Sequence, residues 1–478
     1  MIYNIFSNAA PAMPKPSKGT EFVKFALSQA SKDMREVLIP MAIPALAAHL
    51  TDVRFMYCDN KYYEMCGQMG HLIGPSGIGK AQLGHLVEAI MRPFRKHDET
   101  EFKKLVDWQR QMKTKGANKE KPERPDVSFW FPPADVTNPA FIQNAMACEK
   151  LGERTQYINL PEVEMADRMC GGHKQVSQMV RNIYDRQRAG ALRATADGVT
   201  GNPVLRVNLT FTSTPEAARQ FYKKDLTNGF FGRIPFAYKA RGERSGKIPR
   251  QGTYDEEFLK KMDSYLLRLD NCKGSFVVKK LNKVADQLAE EMARLADLAD
   301  DDMLWELSHR SIFSAWKKGA VLWILNDQTW TRSIGDFVVW FCYYDLWSKV
   351  KVFGDMFKCG DVQEEVQRTG PKNMLDHLEV SFNELQLEAL RLSLGKSKEG
   401  TKHQLNVWKN RKFITYSAQT GLYTKTQEYL TGAPGAKMKG CTSDDCGNGT
   451  SDGIARNSGR RGDLKQTDGE SDNGLGSD

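Results

Sequence analysis

An α/β fold, built on a mostly parallel sheet with crossover helices, is predicted by three observations. Between Leu72 and Phe236 short β-branched or aromatic runs alternate with helical stretches, as at Val127–Phe131, Gln156–Leu160 and Val207–Thr212. Such alternation is the signature of βαβ units. A glycine-rich turn, Gly74-Pro-Ser-Gly-Ile-Gly-Lys80, stands between an apolar run (Met69–Ile73) and a helical one (Gln82–Met91). From Asp255 to about Phe357 the pattern turns helical, with Leu281, Ala285, Leu288, Met292, Leu295 and Leu298 recurring at threes and fours.

The 478 residues are 40% apolar and 27% charged, which excludes global disorder and fibrous repeats. Spanning a membrane takes about 20 apolar residues in one helix. Val37–Leu50 is shorter and carries Pro40 and Pro44. No cationic start precedes an apolar run, so a cytoplasmic protein with no membrane partner is expected. Nine cysteines lie scattered without a CxxC pair, and Cys170-x-x-His173 has no second half-site. Neither a disulfide framework nor a metal site is expected from them. The organisation read from the chain is a helical leader over 1–45, a core over 46–252, a helical region over 253–365, a small C-terminal domain over 366–430 and a tail over 431–478. The tail has 11 glycines and almost no large apolar side chains, a composition expected to be disordered. Lys113–Pro125 reads as an exposed loop.

In a strand–loop–helix context, glycines let backbone N–H groups curl around phosphate oxygens and the helix N-terminus adds positive potential. Gly74, Ser76, Gly77, Gly79, Lys80 and Ala81 are therefore the candidate nucleotide-binding set, with ATP the expected cofactor and Lys80 the point charge on its β- and γ-phosphates. Ala81 occupies the position where a Ser or Thr hydroxyl would ligate Mg2+, so the metal needs a neighbour or a water, or its site is weakened. The other reading of the turn is a glycine-rich loop with no ligand. The strand ending at Leu160 runs into Pro161-Glu162-Val163-Glu164. Pro161 stands in place of a metal-holding aspartate, and Glu162 in the water-activating position, with Glu164 the alternative. Both carboxylates also read as solvated residues opening a helix. At the next strand tip, Thr214 or Ser213 is placed to sense a γ-phosphate. In Asn228-Gly-Phe-Phe-Gly-Arg233, Arg233 is either an arginine offered to a neighbour's nucleotide or a surface residue.

This order of features, together with Thr137-Asn138-Pro139, resembles the uncharacterised primase–helicase-like P-loop ATPases of bacterial plasmids, prophages and conjugative elements. The resemblance covers roughly 37–357, and only the glycine-rich loop and the surroundings of Arg233 are specific. It implies a P-loop NTPase core of AAA+/RecA-like type and a role in replication of mobile DNA. By position it makes Gly74, Gly79 and Lys80 phosphate ligands, Glu162 catalytic and Arg233 the finger, with Ala81 and Pro161 departing from the pattern.

The C-terminal part reads as a winged helix. Ser381-Phe-Asn-Glu384 and Thr401-Lys-His-Gln404 are capping-box patterns opening helices through about Leu392 and Asn410, and Phe413–Tyr416 and Leu422–Lys425 flank a turn ending in Gly421. Leu405 and Trp408 would pack inward, leaving Lys402, Asn406 and Lys409, with Arg411 and Lys412 beyond them, for DNA phosphates or base edges. Winged helices also bind proteins. The net charge of +9 is distributed unevenly: Arg391–Lys412 carries +6, Glu101–Arg124 +4, and Arg181–Arg193 +3, the last through Arg181, Arg186, Arg188 and Arg193. That last group is a second candidate for gripping nucleic-acid backbone, or a solvated face. The function expected is that of an ATP-binding, ATP-hydrolysing, DNA-associated protein, helicase- or loader-like and homo-oligomeric through Arg233. The alternatives are a nucleotide-gated DNA-binding factor without turnover and an interaction scaffold with a vestigial loop. No constellation of acidic residues or zinc ligands suited to primase chemistry is present.

Overall fold

The structure is a computed structural model describing residues 5, 7–58, 61–114, 122–152, 154–190, 192, 198–226, 229–241, 250–299, 301–356 and 374–430. The tail, most of the 113–125 loop, Arg193 and Asn228 lie outside the described residues.

The N-terminal part holds α1 (Glu21–Ala26) and α2 (Arg35–Ala48), followed by β1 (Val53–Met56), β2 (Tyr62–Glu64) and β3 (Met69–Ile73). Then come α3 (Ala81–Thr114), α4 (Asn138–Lys150), β4 (Gln156–Leu160), α5 (Ala166–Cys170), α6 (His173–Tyr184), β5 (Val207–Ser213), α7 (Pro215–Tyr222), α8 (Phe230–Arg233) and β6 (Phe236–Tyr238). The helical region follows, α9 (Glu256–Asn271), β7 (Gly274–Phe276), α10 (Lys279–Ala299), α11 (Asp302–Leu325) and α12 (Arg332–Phe353). The chain closes with β8 (Ser381–Phe382), α13 (Glu384–Ser393), α14 (Thr401–Asn410), β9 (Ile414–Ser417), β10 (Leu422–Lys425) and α15 (Gln427–Leu430).

The central sheet has the order β4-β5-β3-β6, and every neighbouring pair is parallel. Every residue of β3 and of β5 is buried, as a parallel sheet covered on both faces requires. One face, through Leu72, Tyr157 and Ala237, joins the core formed by α2, α3 and the α9–α12 region. The other, through Met69, Ile73, Ile158, Leu160, Leu209 and Phe211, packs on α4–α8 and the end of α12. The result is a three-layer α/β/α arrangement with this sheet in the middle.

Residues expected to form a leader instead supply part of the core. In α2 everything from Val37 to Ala48 is buried, and the helix lies on β3 and β5. A Cβ at Gly70 would meet Met41 Sδ at 2.8 Å, so a side chain there would push α2 away. A proline inside a helix removes one hydrogen bond and costs about 3 kcal/mol. α2 carries Pro40 and Pro44 all the same, and side-chain donors of β5 fasten it to the sheet: Asn208 Nδ2 donates to Pro44 O at 2.9 Å and Thr210 Oγ1 to Met41 O at 3.3 Å.

Val127–Phe131 is not a strand. Its N–H groups are taken by side chains from α3 and α4. Asp98 accepts from Trp130 and Phe131, both at 2.8 Å, Glu101 from Ser128 at 3.2 Å, and Asn144 from Phe129 at 2.7 Å. One bond, Tyr157 N to Trp130 O at 2.9 Å, links this segment to the edge of β4. The opposite edge is closed by α12: Asp345 Oδ1 accepts Phe236 N at 2.7 Å and Ser348 Oγ accepts Tyr238 N at 3.0 Å. Both edges are thereby protected from pairing with another chain. The expected helix 82–91 is the first third of α3, which continues through Pro93 to Thr114.

Two smaller sheets complete the fold, β2-β1-β7 and the antiparallel β8-β10-β9. Within the latter unit Phe382, Leu387, Leu405, Trp408 and Ile414 share a core with Leu298 of α10. Both expected capping boxes are corrected here. The first is formed by Asn383 and Gln386, because Ser381 pairs with Thr424 in β8–β10. The second does not form: Gly400 precedes α14, and Gln404 Nε2 instead donates to Asp297 O at 2.9 Å, fastening α14 to α10. Among the described residues no helix is long and apolar enough to cross a membrane.

Candidate functional site

The glycine-rich loop leaves the carboxyl end of β3, an inner strand of the sheet, and delivers the chain to the N-terminus of α3. Ligands of open parallel sheets bind at this edge. Gly77 and Gly79 have φ of +80° and +93°, which glycine adopts without strain. A Cβ at Gly77 would meet nothing within 4 Å, whereas one at Gly74 would lie 2.2 Å from Ile78 Cδ1. The N–H groups of Gly77, Gly79 and Lys80 donate to no described group. Lys80 Nζ donates to Gly74 O at 2.6 Å and Pro75 O at 3.3 Å, so the ammonium closes over its own loop. Burial lowers the Lys80 pKa below the usual lysine value, while the carboxylates of Glu162 and Glu216 pull it back up. Ser76 and Ala81 are exposed.

These donors fit a phosphate chain: N–H groups without an internal partner, one ammonium and a helix N-terminus. The fit to Mg2+ is poor. Ala81 and Pro161 offer no side-chain ligand, and among the described residues no group of three or more His, Cys, Asp or Glu could hold a metal.

Glu162 lies just past β4, exposed, in extended conformation before a short 3-10 turn (Val163–Met165). β4 is two strands from β3, a spacing of about 10 Å, with β5 between them. At the tip of β5, Thr214 caps α7, accepting Ala217 N at 3.2 Å with its hydroxyl oxygen, and Glu216 sits in the first turn. Behind this tip His71 is wholly buried on β3, with Nδ1 2.9 Å from Tyr222 Oη and Nε2 2.8 Å from Ser213 Oγ. Ser213 Oγ in turn donates to Thr214 O at 3.0 Å. Because Ser213 uses its hydrogen there, it accepts from His71 Nε2–H, and His71 Nδ1 accepts from Tyr222. Burial drives the His71 pKa down to about 3, aided by the charge of Lys80.

The glycine motif, Glu162 and the 213–214 tip thus meet at one edge of the sheet. Glu216 and the pair Ser31–Gln82 were missed by sequence reasoning. Gln82, in the first turn of α3, accepts from Ser31 N and donates to Ser31 Oγ, both at 3.0 Å, which brings the N-terminal segment to the loop. Gln82 directly follows the Lys80-Ala81 pair, but no local signal marks its distant partner.

Arg233 lies apart from this edge. It precedes β6, hence stands at the amino ends of the strands, and is 15% exposed. Its Nη2 pairs with Asp185 at 2.8 Å and its Nη1 donates to Gly229 O at 2.8 Å. Of the 181–193 arginines, the three within the described residues are likewise engaged. Arg181 donates to Ser177 O, Arg186 pairs with Glu64 at 2.6 Å, and Arg188 pairs with Glu149 at 3.3 Å. In the C-terminal unit Lys402, Asn406, Lys409 and Lys412 are exposed, opposite the buried Leu405 and Trp408. Arg411 is instead held by Asp297 at 2.5 Å. Compared with protein-family models and with curated proteins, the chain matches none.

Proposed function

We propose that the chain is an ATP-binding P-loop NTPase with a C-terminal winged helix, acting on DNA in a helicase- or loader-like role, as in the mobile-element family its motifs resemble. The observation that carries this reading is the loop at the end of β3: glycines at positive φ, N–H groups without an internal partner, and a lysine folded over the loop with Glu162 and Glu216 in its field. In this reading the N–H groups of Gly77, Gly79 and Lys80 hold phosphate oxygens, and Lys80 exchanges its carbonyl partners for the β- and γ-phosphates. Glu162, two strands away, takes the proton of the attacking water. The Thr214 tip between them contacts the γ-phosphate with the hydrogen its capping role leaves free. Mg2+, when bound, would neutralise phosphate charge; no step is assigned to it.

Arg233 supports a homo-oligomer, because from the amino ends of the strands it can reach only a neighbouring copy's nucleotide, and only after leaving Asp185. The exposed row Lys402, Asn406, Lys409 and Lys412 supports DNA contact. A second reading, nucleotide-gated binding without turnover, is favoured by Ala81 and Pro161, neither of which can ligate a metal. ATP turnover of the purified chain with Mg2+, with and without single-stranded and duplex DNA, separates the two. The first reading expects turnover that Lys80→Ala and Glu162→Gln abolish. ATP binding lost in Lys80→Ala, without turnover in any condition, establishes the second. No ATP binding at all overturns both.

A further inference from the structure

A cavity of about 790 Å3 opens at the amino ends of the strands, opposite the glycine-rich loop. It lies between β2, the end of α6, α8 and α11, with Cys66, shortly before β3, in its lining. The five residues of β3 separate the two places by roughly 15 Å. The volume is ordinary for a small-molecule pocket; the chemistry of the lining is not ordinary for a structural void.

Lys317 projects into this cavity from α11 although its side chain is almost wholly buried, 4% exposed. Among the described residues its ammonium has one hydrogen-bond acceptor, Cys66 O at 3.0 Å, for three N–H donors, and it lies 5.0 Å from the centre of the Phe313 ring. A buried ammonium with one acceptor for three donors is costly, and a methionine would fill the same space without that cost. Around the Tyr184 ring stand three cations, Arg233, Arg310 and Lys317, with centroid distances of 5.6, 5.7 and 5.6 Å. Of the three acids that line the cavity, Glu306 is exposed to solvent, and the other two are matched. Glu64 is met by Arg54, Arg186 and Arg206, and Asp185 by Arg233. Among the described residues neither Lys317 nor Arg310 has a carboxylate partner. At the mouth, Trp305 and Tyr62 are 40% and 45% exposed, high for rings of this size. A buried lysine and a half-buried arginine below exposed aromatic faces are the combination that holds a stacked base and its phosphate.

We propose that this cavity is a second ligand site, taking one nucleotide unit, with phosphate on Lys317 and Arg310 and base against Trp305 and Tyr62. The unit is either a free mononucleotide or one nucleotide of a single strand, since both present the same chemistry. The site is independent of the glycine-rich loop, so its failure and the failure of ATP binding there are separate results.

The test uses the full chain carrying Lys80→Ala, titrated with AMP, which has no β- or γ-phosphate, and with a fluorescein-labelled ten-nucleotide oligo(dT). Saturable binding of at least one probe is expected, weakened about tenfold by Lys317→Met and by Arg310→Gln, the loss of one charge-assisted contact each. Trp305→Ala, at an exposed position that does not threaten folding, is expected to weaken it about fivefold, within the range for one stacked base. AMP binding that oligo(dT) cannot displace identifies a free nucleotide as the ligand; mutual displacement, or binding of the oligomer alone, identifies a strand. No saturable binding of either probe overturns the proposal. So does binding that all three substitutions leave unchanged.

Discussion

Two buried groups, His71 and Asp98, titrate in opposite senses, and their separation is a direct test of the core. His71 has a folded pKa of about 3 against an ordinary 6.5. Below pH 6.5 the unfolded chain takes up a proton that the folded chain refuses, so stability is full above pH 6.5 and falls as pH drops toward 3. At 1.36 kcal/mol per unit the whole loss is about 5 kcal/mol. Asp98 is the reverse: burial raises its pKa from 3.8 to about 6, against the N–H bonds from Trp130 and Phe131 that favour the carboxylate. The folded chain protonates first, so stability rises by about 3 kcal/mol as pH falls from 6 to 3.8. Between those limits the slopes cancel.

The perturbation is Asp98→Asn, read by guanidinium unfolding followed by circular dichroism from pH 4 to 7. The native chain is expected to hold its stability within about 1 kcal/mol between pH 6 and 4. The variant starts lower, because an amide cannot accept from both N–H groups, at a cost of about 1–3 kcal/mol. It is then expected to lose about a further 3 kcal/mol over the same interval, since the His71 slope is no longer opposed. A variant profile as flat as the native one refutes the reasoning. His71→Gln should give the mirror image, gaining stability on acidification from pH 6.

Three further outcomes are expected. Lys318, buried beside Asp345 and Lys349, is held at about 8, and the unfolded chain keeps its proton to about 10.5; between pH 8 and 10 the native chain should therefore gain about 2–3 kcal/mol relative to Lys318→Met in denaturant titrations, while the like contribution of Lys317 persists in both. Asp345 accepts from Phe236 N, Ser311 and Lys349; Asp345→Ala strands a buried lysine and should cost about 3–5 kcal/mol by thermal unfolding, part of which Asp345→Asn recovers. Replacing Lys402, Lys409 and Lys412 together by Ala should leave the melting temperature unchanged and reduce the salt dependence of duplex binding by about three counterions. Arg411→Ala should instead cost under about 1 kcal/mol of stability and leave the salt slope as it was.

Strands and loops differed in how far the amino acids alone revealed them. The bounds of β3 and β4 coincide with the expected runs, because both strands are rich in large apolar side chains and turns cut them sharply. Val127–Phe131 has the same composition and is not a strand, since Asp98, Glu101 and Asn144, up to 33 residues away, claim its N–H groups before a neighbouring strand can. No property of the five residues encodes that competition. The first C-terminal cap is a milder case: Ser381 and Asn383 both begin capping patterns, and only the pairing of Ser381 with Thr424 decides for Asn383. At the glycine-rich loop the converse holds. The strand–turn–helix context is carried by consecutive residues, Met69–Ile73, Gly74–Lys80 and the start of α3, so the loop's conformation was legible, whereas Gln82–Ser31 and Glu216 depend on which elements the fold brings beside it.

The basic clusters show why formal charge is a poor guide to interaction surface. Read from the chain, Arg391–Lys412 and Arg181–Arg193 are comparable strips of cation. In the fold arginine and lysine separate by chemistry. Arg391 is buried with Nε donating to Ser397 O, Arg411 meets Asp297, Arg186 meets Glu64 and Arg188 meets Glu149. Guanidinium is planar, weakly hydrated and suited to fork-like pairing, while ammonium keeps its water. Of the C-terminal lysines, Lys398, Lys402, Lys409 and Lys412 remain exposed. A polyanion approaching the C-terminal unit meets lysines, whereas Arg181, Arg186 and Arg188 are engaged in intramolecular bonds. Lys317 and Lys318 invert the rule: both ammoniums are buried with one hydrogen-bond acceptor each among the described residues, Cys66 O and Ser314 Oγ, and of the two Lys317 is the one that lines a cavity.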